Sequence, residues 1–133
     1  MARVIVLDAN VLIAYLDGED LHHESANELL LSVADDAFAM STLTLAEVLV
    51  GPARIGQLEL ARRVIRDLEL EEVAIDAGSA ERLAVLRAET GLRTPDCCVL
   101  LAAGDTGTVA TFDDRLAVAA RDHGLTVMGR EQV

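Results

Sequence analysis

Four acidic residues stand where side chains could do chemistry on a ligand: Asp8, Glu47, Asp96 and Asp113. Asp8 closes the apolar run Val4-Ile5-Val6-Leu7, the pattern of a strand buried on both faces of a parallel sheet. Asp113 follows a short strand expected over residues 108–111, and Asp96 opens the helix that leads into it. Glu47 lies about one and a half turns into the helix after the second strand. Open α/β sheets bind ligands beyond the carboxyl ends of their strands, where successive helices leave to opposite faces. If the first and fourth strands are central neighbours, the four carboxylates share that crevice. Their repulsion there raises their pKa values. One or two divalent cations with oxygen ligands, Mg²⁺ or Mn²⁺, relieve it.

Each acid also has a structural alternative. Asp8 or Asn10 can cap the next helix. Thr44-Leu45-Ala46-Glu47 fits a capping box, with the glutamate reaching back to the N-cap backbone. Thr94 reads as an N-cap with Pro95 at the first helical position, which sets Asp96 in a first turn where the helix dipole favours negative charge. Separate alternatives of this kind meeting at one sheet edge are a less economical account than a metal site.

The elements that must position these residues alternate strand and helix throughout. Helices are expected over residues 12–16, 22–34, 43–54 (ended by the Gly51-Pro52 region), 57–69, 77–90 (capped by Asp76), 97–103 and 116–122. Strands are expected over 4–7, 37–40, 71–75, 108–111 and 125–128. That order implies one α/β domain over residues 1–133, a parallel sheet of four to five strands with helices on both faces. His22 and His23 open the second helix and read as a solvated helix start, since adjacent helical residues point in different directions.

A composition 52% hydrophobic but only 2% aromatic favours aliphatic helices on aliphatic strands. Apolar stretches are short and broken by charge, so neither a membrane span nor a signal peptide is expected, and the reading is cytoplasmic. Cys97 and Cys98 are adjacent, lack CxxC spacing and read as small buried hydrophobes. The net charge of −12 argues against nucleic-acid binding through a basic surface and suits a basic protein partner. All 11 basic residues are arginine, which removes Walker A loops and lysine-based catalysis.

The order and spacing of four stretches resemble the PIN domain family, and within it the VapC-type toxin ribonucleases of bacterial toxin–antitoxin pairs. They are Val-Leu-Asp-Ala-Asn-Val-Leu-Ile-Ala-Tyr-Leu from Val6, Ser-Thr-Leu-Thr-Leu-Ala-Glu-Val-Leu from Ser41, Leu-Arg-Thr-Pro-Asp from Leu92, and Ala-Thr-Phe-Asp-Asp-Arg-Leu from Ala110. The resemblance covers nearly the whole chain. It implies that Asp8, Asp96 and Asp113 ligate the metal, and that Glu47 ligates it or orients a ligating water. It also implies that Asn10 orients Asp8, that Ser41 and Thr111 line the site or cap strand ends, and that Asp114 is an alternative for the last aspartate. The expected reaction is metal-assisted hydrolysis of an RNA phosphodiester. Arg54, Arg93 and Arg115 are the arginines expected nearest the acidic edge, to grip phosphate or to form surface ion pairs. The resemblance further implies an RNA substrate, a homodimer and a cognate antitoxin that blocks the cleft with a basic segment. Two other readings remain open: a non-catalytic PIN-like interaction module, and a metal-dependent DNA nuclease.

Overall fold

The computed structural model describes residues 3–104 and 106–130. Its five strands form one fully parallel sheet in the order β3-β2-β1-β4-β5, comprising β1 (Val4–Leu7), β2 (Ala37–Ser41), β3 (Glu71–Val73), β4 (Thr108–Ala110) and β5 (Thr126–Met128). The helices are α1 (Ala9–Leu16), α2 (His23–Ser32), α3 (Thr42–Arg54), α4 (Leu58–Asp67), α5 (Ser79–Thr90), α6 (Thr94–Ala103) and α7 (Asp114–Asp122). The expected central pairing is present: β1 lies between β2 and β4, with Val6 opposite Val109 and Leu7 opposite Ala110.

Alternation along β1 explains the two layers. Ile5 and Leu7 point into one core with Leu12, Leu30, Phe38, Met40 and Val48, drawn from β2 and α1 to α3, and α4 adds Ile65. Val6 points the other way, into a core with Leu100, Val109, Leu116 and Ala120, to which α5 adds Leu83 and Leu86. A strand covered on both sides has no solvated face, which is why β1 reads as continuous aliphatic sequence. The helix after β1 lies against the first core and the helix after β4 against the second. The chain therefore diverges at the carboxyl ends of these two neighbouring strands. Cys97 and Cys98 are both buried, as expected of small hydrophobes, and Cys97 packs in the second layer. Among the described residues, no helix is long and apolar enough to cross a membrane.

Several boundaries differ from expectation, mostly at caps. α1 begins at Ala9 rather than residue 12, because the Asp8 carboxylate accepts a hydrogen bond from the Ala9 N–H and starts the helix at once. The N-cap of α3 is Ser41, whose hydroxyl accepts from the Thr44 N–H at 3.3 Å. Thr44 is thus inside the helix and Glu47 is a turn too late for the expected capping box. Pro52 does not end α3 but sits in its last turn, where its missing N–H leaves out the single bond to the carbonyl four residues before it. Arg93, not Thr94, occupies the N-cap of α6, leaving Thr94 and Pro95 as its first two residues. β3 stops at Val73, and Asp76 accepts a bond from the Ser79 hydroxyl while Gly78 takes the cap.

Candidate active site

The carboxyl ends of β1 and β4 hold the most heavily bonded part of this edge. Asp8 is 7% exposed. One carboxylate oxygen accepts from the Ala9 N–H at 2.8 Å and the other from the Thr111 hydroxyl at 2.7 Å. The Thr111 hydroxyl oxygen in turn accepts from the Asp113 N–H at 3.0 Å, so a single side chain ties the first aspartate to the backbone of the last. Asn10 accepts from the Phe112 N–H at 3.2 Å, which is how the residue two places after Asp8 reaches the turn after β4. Asp113 caps α7, accepting from the Arg115 and Leu116 N–H groups at 2.8 and 3.1 Å. Asp8 and Asp113 are therefore helix caps as well as acids at the strand ends, and the two readings coexist.

Glu47 and Asp96 reach the same neighbourhood from α3 and α6. Burial pushes the Asp8 carboxyl up to about 6; its hydrogen bonds from Thr111 and Ala9 oppose the rise, and the charges of Asp96 and Asp113 add to it. Asp96 is also raised, by partial burial and by Asp113, against the lowering effect of Arg93 and Arg115. Glu47 is raised by partial burial of its carboxyl and by Asp96, against Arg93. Asp96 is thus the electrostatic hub that feels or is felt by all three other acids. Among the described residues, no three His, Cys, Asp or Glu side chains stand close enough to grip one ion as they are. The four acids share an edge and repel across it without closing on a common point.

The other anticipated residues divide. Arg93 and Arg115 flank the acids closely enough to lower Asp96. Arg54 does not belong with them: it ends α3, about 18 Å along the helix axis from the edge where α3 starts. Ser41 is a buried strand-end cap bonded to Thr44. Asp114 is exposed and pairs with Arg130 at 3.2 Å. His22 and His23 are half-buried rather than a solvated helix start. The His22 ring stacks on Phe112 at 5.1 Å, and His23 Nδ1 contacts the Ala14 carbonyl at 2.7 Å. Arg130 and Gly129 were not anticipated, and both touch the turn that carries Asp113. Their distance from it along the chain left no local pattern to read.

The charged donors at this edge are carboxylate oxygens; both thiols are buried, and His22, His23 and His123 lie against Phe112, the Ala14 carbonyl and the Ala119 carbonyl. Hard oxygen donors gathered at one partly buried edge fit a hard divalent cation such as Mg²⁺ or Mn²⁺.

The sequence pattern of the PIN domain matches residues 5–122, which takes in all four acids and both core layers. The chain belongs to the PIN domain family. Solved structures agree with that assignment. The PIN domain here superposes on a toxin–antitoxin complex from Klebsiella pneumoniae with a TM-score of 0.71 at 25% identity, covering 85% of this chain and 89% of that one. The VapBC2 complex of Rickettsia felis bound to a promoter DNA fragment gives 0.70 at 18% identity, over 93% and 96% of the two chains. The sarcin–ricin-loop-cleaving VapC toxin of Mycobacterium tuberculosis gives 0.69 at 16%, over 86% and 94%. A search of curated protein sequences returns no significant match.

Proposed function

We propose that this PIN domain is a divalent-metal-dependent endoribonuclease of the VapC toxin kind, acting in the cytoplasm as a homodimer and inhibited by a cognate antitoxin. The observation that carries the proposal is the placing of Asp8, Glu47, Asp96 and Asp113 along one edge at the switch point of the sheet, with burial, and to a lesser degree the charges of Asp96 and Asp113, raising Asp8 to about 6. The shared fold with toxin–antitoxin complexes supports it.

Asp8, Asp96 and Asp113 would hold Mg²⁺ or Mn²⁺, with Glu47 as a further ligand or as the group that orients a ligating water. A cation bound there supplies an activated water and stabilises charge developing at phosphorus. Thr111 keeps the Asp8 carboxylate in a fixed rotamer through its 2.7 Å bond and favours the ionised form by donating to it. Asn10 holds the Phe112 peptide and with it the start of the turn bearing Asp113. Arg93 and Arg115 offer planar donors to the phosphodiester beside an edge that would otherwise repel it. The same acidic edge attracts a basic segment, which is how an antitoxin would occupy it.

Incubating the purified protein with single-stranded RNA, tRNA and branched DNA, each with Mg²⁺ or Mn²⁺, tests the assignment. RNA cleavage that disappears with EDTA and in Asp8→Asn is the expected result. Cleavage of DNA alone would make it a DNA nuclease. No cleavage with either metal, once any co-purifying partner is removed, would make it an interaction module.

A further inference from the structure

The turn after β4 is clamped from two directions. On the α1 side, Asn10 accepts the Phe112 N–H at 3.2 Å. On the other side, the Arg130 Nε donates to the Phe112 carbonyl at 2.6 Å, and the same nitrogen lies 3.2 Å from Asp114 Oδ1. One guanidinium therefore grips the residue before Asp113 and the residue after it. Arg130 is itself held, since its carbonyl accepts from the Arg121 guanidinium of α7. The approach that makes this contact depends on Gly129. Its φ is +93°, and a Cβ there would fall 2.5 Å from the Thr111 carbonyl oxygen and 3.3 Å from the Phe112 ring. Just before it, the Thr111 N–H donates to the Met128 carbonyl at 3.0 Å. The chain leaving β5 thus lies directly against residues 111–114, and Arg130 is the side chain it delivers.

We infer that Arg130 is a positioning residue for the proposed nuclease centre, bracing the 112–114 turn so that Asp113 stays aimed at the edge it shares with Asp8 and Asp96. The inference rests on the functional reading above, because it assigns Arg130 a purpose only if Asp113 ligates a cation. A bare surface ion pair would not need the carbonyl contact. Exposed Arg–Asp pairs contribute little to stability, so the pair with Asp114 by itself predicts almost no effect. Groups that orient a metal ligand from outside the coordination sphere typically change metal affinity by about tenfold or more.

Titration of Mn²⁺ into the full chain by calorimetry, beside thermal unfolding of the metal-free protein, separates the two roles. Arg130→Met keeps the apolar stem and removes every donor, and its Mn²⁺ affinity should fall about tenfold with the metal-free Tm nearly unchanged. Arg130→Lys keeps the charge without the rigid planar fork and should fall between Met and wild type. Arg66→Ala, which removes an exposed pair with Glu59 on α4, should leave affinity as it is. Wild-type affinity in Arg130→Met, or an equal loss in Arg66→Ala, would overturn the role. If the methionine variant does not fold, the lysine variant decides, and wild-type affinity there overturns it. Should the wild-type chain bind no Mn²⁺ at all, the nuclease reading fails and this inference with it. Wild-type binding with indifferent variants removes Arg130 alone.

Discussion

Asp8 and Asp113 arrive at the acidic edge already fastened, whereas Glu47 and Asp96 arrive with charge as their main tie to it. The first pair is bound to Thr111, to helix N–H groups and, through the turn between them, to Asn10 and Arg130. Among the described residues, the carboxylates of the second pair accept no hydrogen bond; Asp96 feels chiefly burial, Asp113, Arg93 and Arg115. The difference follows from where the residues sit. A residue at a strand end that also caps a helix has donors supplied by backbone, whereas Glu47 projects from the body of α3 and Asp96 from the first turn of α6. Half of the edge is preorganised by hydrogen bonds and half is not.

The largest expected effect breaks the fastened half. Asp8→Asn should reduce RNA cleavage below detection in a gel assay. Folded Asp8 keeps its proton to about pH 6, while an unfolded carboxyl releases it near 3.8. Between those values the folded chain binds more protons, so metal-free stability falls as pH rises, and above pH 6 it is lower by about 3 kcal/mol. Asp8→Asn should remove that slope and raise the metal-free Tm at pH 7.5 by up to about 10 °C in calorimetry. A pH-independent wild-type Tm across this range would contradict the buried-charge account. With Mn²⁺ present the sign reverses, because protons compete for Asp8, and affinity should drop as pH falls below about 6.

Next in size is the contrast between two losses of the same group. Asp113→Ala should abolish cleavage and also cost about 1 kcal/mol of stability by uncapping α7. Asp96→Ala should abolish cleavage yet leave metal-free stability unchanged or higher, since it removes a partly buried charge that accepts no hydrogen bond among the described residues. Denaturant unfolding of the two variants side by side measures this, and equal destabilisation would erase the distinction between the halves.

Thr111→Val should cost about 1–3 kcal/mol, because the buried Asp8 oxygen and the Asp113 N–H both lose their partner. The pH midpoint of cleavage should also move upward, as Asp8 loses the donor that favours its ionised form. Smallest is Arg93→Ala: thermal stability within about 0.5 kcal/mol of wild type, with a modest loss of RNA affinity by filter binding.

Much of this was legible in residue order. The unbroken aliphatic run before Asp8 announced a strand covered on both sides, and the strand–helix alternation announced the parallel sheet. Apolar periodicity registers layers well because burial of whole faces is what it records. Caps were read less well. Thr44 and Ser41 are both plausible N-caps in sequence, and only the backbone turn at Ser41 chooses between them. His22 looked solvated because nothing local announces that Phe112 will lie under its ring. Arg130 and Gly129 were invisible for the same reason on a larger scale: their contacts with residues 111–114 exist only after β5 has paired with β4.

The Asp8–Thr111 bond spans 103 positions of chain. During synthesis Asp8 is made long before its hydroxyl partner. For nearly all of that interval the first strand has no β4 beside it, and throughout it the acidic edge lacks Asp113. The surroundings of Asp8 therefore exist only once the chain through Thr111 has been made and β4 has docked beside β1, so long-range assembly of the sheet, and no local segment, creates this edge.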